Sequence, residues 1–203
     1  MLLGYRKEMS NHLFFCRKKG EVMNSVDPIR DVNMIHDIAE YLAEKSDRNA
    51  LLFLYGIYTG LRISDIRLKR VRDVRGKDRF KVIEKKTGKE RNFRVNATLK
   101  RALDKYVKDK KDYEYLFASR QGKNRPISRQ QAYNILKDAG DKFGLDLIGT
   151  HTMRKTFGYH LYKQTGDINL VQTILNHNTP EYTKLYIGLT QDTIDDAIMS
   201  LKY

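Results

Sequence analysis

The chain contains a single cysteine, Cys16, which excludes an internal disulfide and any cysteine-based zinc site. A lone thiol fits a reducing compartment. Long apolar runs are missing as well: the longest, Ala50 to Tyr58, is too short to span a bilayer. No charged-then-apolar leader opens the sequence, so a cytoplasmic location is expected rather than secretion. There is no internal repeat and no low-complexity tract. Acidic residues are in deficit, with 25 Asp and Glu against 39 Lys and Arg and a net charge of +14. Such a surplus favours a polyanionic partner, nucleic acid ahead of acidic lipid.

What is present suffices for one well-cored domain, or one domain and a short arm: 203 residues, 40% hydrophobic and 32% charged, as in soluble globular proteins. The charge is unevenly placed. Fifteen lysines and arginines but only four acids lie between Arg67 and Arg101. From Thr165 to Tyr203 the balance reverses, with two lysines and five acids (Asp167, Glu181, Asp192, Asp195 and Asp196). A solvated face mixes both signs, so a run this lopsided is expected to track phosphates, with Lys85, Lys89, Arg91 and Arg94 among the contacts.

Residues 1–30 form a basic arm without clear period, too short for a binding domain of its own, and Met23 is a second candidate start. A helix is predicted after Asp31 as N-cap, with Val32, Ile35, Ile38, Ala39 and Leu42 on one stripe. A second, Arg48 to Thr59, is apolar nearly all round and should be central and buried, with Gly60 as its stop. A short third spans Ser64 to Leu68. The period then changes. Phe80 and Val82 alternate with polar residues, Lys85-Lys86-Thr87-Gly88-Lys89 reads as a turn, and Phe93 and Val95 alternate again, which predicts a basic β-hairpin. Helical spacing resumes with Leu99, Leu103 and Tyr106, and Ser128 with Gln131 predicts a capped helix carrying Ala132, Ile135, Leu136 and Ala139. Further helices are expected from Thr152 to Gln164, from Ile168 to Leu175 after Asp167, and from Pro180 to Ile187 after Thr179. In the last segment, 189–203, Ile194, Ala197, Ile198 and Leu201 share a face. The expected class is mostly α with a small antiparallel β-sheet (α+β), its main domain over 31–188.

Breaking a phosphodiester without a metal needs cations over the non-bridging oxygens, a nucleophile, and an acid for the leaving oxygen. The chain offers candidates for each. Arg62 stands between Gly60 and a helix start, with Asp65 three residues on to orient it. His151 and Arg154, three apart, share a helix face. His177 follows a helix, and Tyr186 lies nine residues further on. Each reads singly as structural: an arginine at a helix start, a surface pair, a capping histidine, one of 13 tyrosines.

Taken in order, Arg62, a turn lysine, His151-x-x-Arg154, His177 and Tyr186 resemble the tyrosine recombinase (phage integrase) family. "TGLRISDI" is similar to that family's first arginine box, "EKKTGKER" to its hairpin with the catalytic lysine, "THTMRKTFGYHL" to its histidine–arginine helix, and "VQTILNHNTPEYTKLYI" to its second histidine and nucleophile. The resemblance runs from about Asp27 to Ile187. It implies that Tyr186 is the nucleophile, forming a 3′-phosphotyrosyl link and freeing a 5′ hydroxyl. Arg62 and Arg154 would clamp the scissile phosphate, and His151 and His177 would handle protons and hydrogen bonds. The general acid would be Lys86, with Lys89 as runner-up; Tyr182 is the alternative to Tyr186. No metal, ATP or other cofactor is implied. The implied partners are double-stranded DNA and other protomers, as a tetramer in synapsis and a monomer in solution, with a nucleoid-associated location and no membrane.

The chain departs from the family pattern in three places. Lys155 stands where histidine commonly follows the second arginine, and Asn176 where glycine commonly precedes the second histidine. Larger members carry an N-terminal helical domain that the arm cannot supply, so either a short recombinase or a truncation is expected. The acidic, apolar-striped tail would suit a neighbouring protomer, or fold back on its own domain. Rival readings are a non-catalytic DNA-binding regulator, a type IB topoisomerase sharing the chemistry, and a metal-free ribonuclease using His151 and His177.

Overall fold

Several helix starts among the described residues follow from a local side-chain cap. The computed structural model describes residues 26–201; of the basic arm only 26–30 fall inside, and Cys16 and Met23 lie outside the described residues. Helix α1 (Val32–Lys45) opens where the Asp31 carboxylate accepts the Asn33 amide at 2.8 Å. It buries Ile38 and Leu42, four residues apart on one face, whereas Val32 of the expected stripe is exposed in the first turn. Helix α2 (Asp47–Thr59) is buried on nearly every side and forms the centre of the fold. It stops at Gly60, whose φ of 60° is left-handed and costs glycine nothing. The third helix, α3 (Ile63–Ile66), is one turn long.

Strands β1 (Arg79–Ile83) and β2 (Glu90–Arg94) pair antiparallel, Phe80 opposite Phe93 and Val82 opposite Arg91. Alternation sends Phe80 and Val82 inward. Phe80 stacks on Tyr55 of α2 at 5.8 Å and meets Phe93 edge-on at 6.0 Å. Aromatic pairs of this kind contribute roughly 0.5–1.5 kcal/mol each beyond burial and fix the hairpin on α2. The turn falls at Lys85 to Gly88, closed by the Gly88 and Lys89 backbone onto Glu84.

Helix α4 (Ala97–Val107) buries Leu99, Leu103 and Val107; α5 (Arg129–Lys142) is capped by the Ser128 hydroxyl accepting from the Gln131 amide. Helix α6 (Thr150–Thr165) begins two residues before the expected Thr152, so His151 lies in its first turn. It packs against α2 where a Cβ on Gly56 would overlap the Met153 side chain. Helices α7 (Ile168–Leu175), α8 (Pro180–Tyr186) and α9 (Leu189–Met199) follow, the first two capped by Asp167 and Thr179. The core has two parts. The larger joins α1, α2, α4, α5 and the hairpin with Met153; the smaller gathers Tyr159, Val171, Leu175, Ile187 and Leu189. Helix α6 serves both. The root of α9 is held on its own chain, with Leu189 buried and Arg30 paired with Asp192 at 2.8 Å. Further along, Ile194, Ile198 and Leu201 are exposed.

Candidate active site

Arg154 stands where the two core clusters meet, between the end of α2 and the end of α7. Arg154 lies one turn after His151 on α6 and is 2% exposed. One guanidinium nitrogen donates to the Gly60 carbonyl and the other to the Leu175 carbonyl, each at 2.5 Å. Burial, with Arg62 adding, pulls its pKa down to about 10, so it remains a cation at neutral pH. The left-handed Gly60 and the C-terminus of α7 thus aim two carbonyls at one side chain.

Arg62 sits just before α3 and donates to Glu84 at 2.5 Å. Glu84 continues the inward alternation of β1 past its end and is fully buried. It also accepts from Arg91 at 3.4 Å and from the Thr87 hydroxyl at 3.3 Å. Burial alone would raise its carboxyl, but Arg62, Arg154 and Arg91 outweigh that and hold it below the ordinary value. Two side chains lie differently from expectation. Asp65 does not orient Arg62; its Oδ1 accepts the Lys85 amide at 3.0 Å and so pins the hairpin turn. Arg91 faces inward beside Phe93, with a side chain 13% exposed that donates to Glu84 and to the Thr59 carbonyl. Those partners lie inside the protein, so Arg91 braces the site.

Lys85 and Lys86, both exposed at the turn, line the same pocket as Arg62, His151 and Arg154. Lys89 points elsewhere, donating to Asn176 at 2.8 Å. Of the two candidate turn lysines, Lys86 lines the pocket and Lys89 does not. Arg94, exposed on β2 opposite Arg79, stays on the outer face of the hairpin.

The His151 Nδ1 lies 3.3 Å from the Tyr186 hydroxyl. Partial burial, then Arg154, Lys155, Arg62 and Lys86, hold His151 below the usual histidine value, so at pH 7 its ring is neutral and able to accept a proton. Asn176 takes the left-handed position at the end of α7, φ 52°, as the replaced glycine would. His177 Nδ1 lies 3.2 Å from the Thr183 hydroxyl, which donates its own proton to the Thr179 carbonyl at 2.9 Å. Nδ1 is therefore the protonated nitrogen, and Nε2 is left for another partner. Burial, Arg154 and Arg62 push His177 down to about 4. Its ring meets Tyr186 at 4.7 Å and Tyr182 at 5.0 Å, both nearly perpendicular. Tyr182 is 52% exposed and Tyr186 half-buried. Burial raises the Tyr186 phenol; Arg154 and Arg62 oppose, and Tyr182 adds to the rise.

Arg62, Lys85, Lys86, His151 and Arg154 line an open pocket of about 480 Å³, to which Arg129, Ser64 and Thr150 also contribute. Its lining carries five Lys or Arg side chains and no acid, a receptacle for a phosphate. Sequence reasoning missed Glu84, read only as one acid in a basic run, and Arg129, the residue after a predicted cap. Inward alternation after Phe80 and Val82 is the signal that marks Glu84.

The phage integrase family matches residues 29–192. A probable integrase/recombinase, YoeC of Bacillus subtilis, is 47% identical over 171 residues, 84% of this chain and 94% of the relative. Tyrosine recombinase XerA of Pyrococcus horikoshii is 30% identical, over 85% of this chain but 59% of its own length. The chain therefore spans nearly all of the first relative and little more than half of the second. Among solved structures, that of XerA recombinase superposes with a TM-score of 0.68 at 22% identity, covering 87% of this chain and 67% of that one. A lambda integrase dimer bound to a COC′ core site gives 0.63 at 20%, covering 83% and 49%. At these identities the superpositions establish the fold.

Proposed function

The chain belongs to the phage integrase family, and we propose that it is a site-specific DNA recombinase that cuts and rejoins strands through Tyr186, without metal or ATP. One observation carries the assignment to Tyr186: its hydroxyl meets His151 at 3.3 Å beside a pocket on which Arg62, Lys86 and Arg154 converge. A phenol, with an ordinary pKa near 10, attacks only where cations stabilise the phenolate and the charged transition state. Arg62 and Arg154 supply that charge to the non-bridging oxygens of the scissile phosphate. The Tyr186 oxygen attacks phosphorus while its proton passes to the neutral His151. The bond from phosphorus to the 5′ oxygen breaks, and that oxygen takes a proton from the Lys86 ammonium. A 3′-phosphotyrosyl bond and a 5′ hydroxyl result, and attack by an incoming 5′ hydroxyl reverses the steps. The covalent link conserves the energy of the cut bond.

Residues 31–188 form the catalytic unit in this reading. The exposed Lys85, Lys89 and Arg94 hold DNA phosphates. Protomers assemble on DNA from monomers, with a tetramer at synapsis, and the exposed apolar residues of α9 support contact with a neighbour. Among the described residues no helix is long and apolar enough to cross a membrane.

Nicked, suicide-type duplexes drawn from DNA flanking the gene, mixed with protein and denatured in detergent, test the chemistry. A covalent band resistant to EDTA, lost in Tyr186→Phe and kept in Tyr182→Phe, is expected. Loss only in Tyr182→Phe would move the nucleophile by one helical turn. Tight binding without a band would favour the regulator.

A further inference from the structure

Lys155 follows Arg154 on α6, and one helical step of about 100° turns it from the pocket floor toward α8. Its Nζ lies 5.3 Å from the centroid of the Tyr186 ring, within reach for an ammonium drawn to an aromatic face. The side chain is half-buried, which keeps water from screening the contact. We propose that Lys155 is a positioning residue for the nucleophile: it holds the Tyr186 ring for attack and favours the phenolate over the phenol. This rests on Tyr186 being the nucleophile.

Ionisation spreads part of the phenolate charge into the ring carbons. A cation over the ring is therefore attracted more strongly after ionisation than before, and that difference, unlike uniform binding, accelerates the reaction. Arg154 and Arg62 act at the oxygen end of the same tyrosine; Lys155 acts on the ring and does not compete with the phosphate for their hydrogen bonds. The groups facing Tyr186 are His151, Arg154 and Lys155 from α6, Arg62 from the start of α3, His177 from the α7–α8 link, and Tyr182 from α8. Burial and Tyr182 press the phenol to stay protonated, so a further cation on the ring counters them. Burial lowers Lys155 itself, opposed by Asp27 and reinforced by Arg30. The histidine common at this position in the family would be largely neutral at pH 7 and supply little of that charge.

The test uses the whole chain labelled with 3-fluorotyrosine, with the Tyr186 fluorine resonance assigned by its loss in Tyr186→Phe. Titrated without DNA, Lys155→Met and Lys155→Gln should raise the Tyr186 midpoint by roughly half a unit to one unit, a three- to tenfold change, while Lys155→Arg, which stays charged where the lysine begins to lose its proton, leaves it at or below the parent value. The rate of covalent capture on the nicked duplexes should fall by the same factor at pH 7, and the deficit should close as pH rises toward the midpoint. A merely structural role would lower the rate equally at every pH and leave the midpoint unmoved. An unmoved midpoint in both neutral variants, with a parent that captures DNA, overturns the role of Lys155 alone. Should the parent form no tyrosyl link on DNA it binds, the nucleophile reading fails and this proposal falls with it.

Discussion

Neutralising Glu84 should disable the site and loosen the fold together. Its carboxylate is fully buried and holds Arg62 at 2.5 Å and Arg91 at 3.4 Å. Glu84→Gln keeps the shape and leaves two neighbouring guanidinium groups without their counter-ion. Removing one partner of a buried pair costs roughly 3–5 kcal/mol. Here the arginine side chains keep 16% and 13% exposure, and water reaching them discounts the loss to about 2–3 kcal/mol. For a chain of this length that lowers the melting temperature by about 5–10 °C. Arg62, no longer braced, should cost covalent capture on the order of a hundredfold, the scale of one lost transition-state donor. The pH dependence has a definite sign. A carboxyl whose folded pKa is depressed stabilises above its unfolded value and loses that contribution as pH falls through the folded one. The gap in stability between parent and variant should therefore narrow below about pH 4. Thermal melts across pH, run beside single-turnover capture assays, provide the measurement. A Glu84→Gln protein melting with the parent and cutting at the parental rate would refute the reasoning, and Asp65→Asn would then be examined as the brace.

Three other outcomes follow from the same geometry. DNA brings negative charge to His177, which sits near 4 in the free protein, so binding should take up a proton; affinity by fluorescence anisotropy should tighten from pH 7 toward 5, at most about tenfold per unit, and His177→Asn should flatten the trend. Lys86→Ala should slow cleavage sharply yet recover on a duplex with a bridging 5′ sulfur, whose thiolate leaves without an acid; Lys89→Ala should show neither effect, and equal recovery of both would reassign the acid. In salt titrations, Lys85→Ala, Lys89→Ala and Arg94→Ala should each reduce the slope of log affinity against log salt by about 0.9, whereas Arg91→Ala should spare the slope and lower the melting temperature.

The parts of the fold legible in the sequence are those set by neighbours a few residues apart. Asp31, Ser128, Asp167 and Thr179 cap the helices predicted after them, and the shift to period two marks the hairpin. The site strings were legible for the same reason, each lying within one turn or one helix. Illegible were the pairings across distance. Charge and composition do not distinguish Arg91 from Arg94, yet one is inward and spent on Glu84 while the other faces solvent. Asp65 sits in the right string to serve Arg62 but bonds a backbone amide twenty positions away. Strand alternation carried the missing information, since residues 80, 82 and 84, then 91, 93 and 95, share the inner face.

Arg154 ties the end of α2 to the end of α7 through two backbone carbonyls, and so rivets the two halves of the core. Its removal would leave both carbonyls buried and unmet whether or not DNA is ever cut. Selection for a stable protein alone would therefore retain this arginine after catalysis had been lost. The exposed Lys86 and the half-buried Tyr186 enjoy no such protection. In a drifting lineage the turn lysine and the tyrosine should decay first, and a descendant that keeps only the arginine has told us about its folding and nothing about its chemistry.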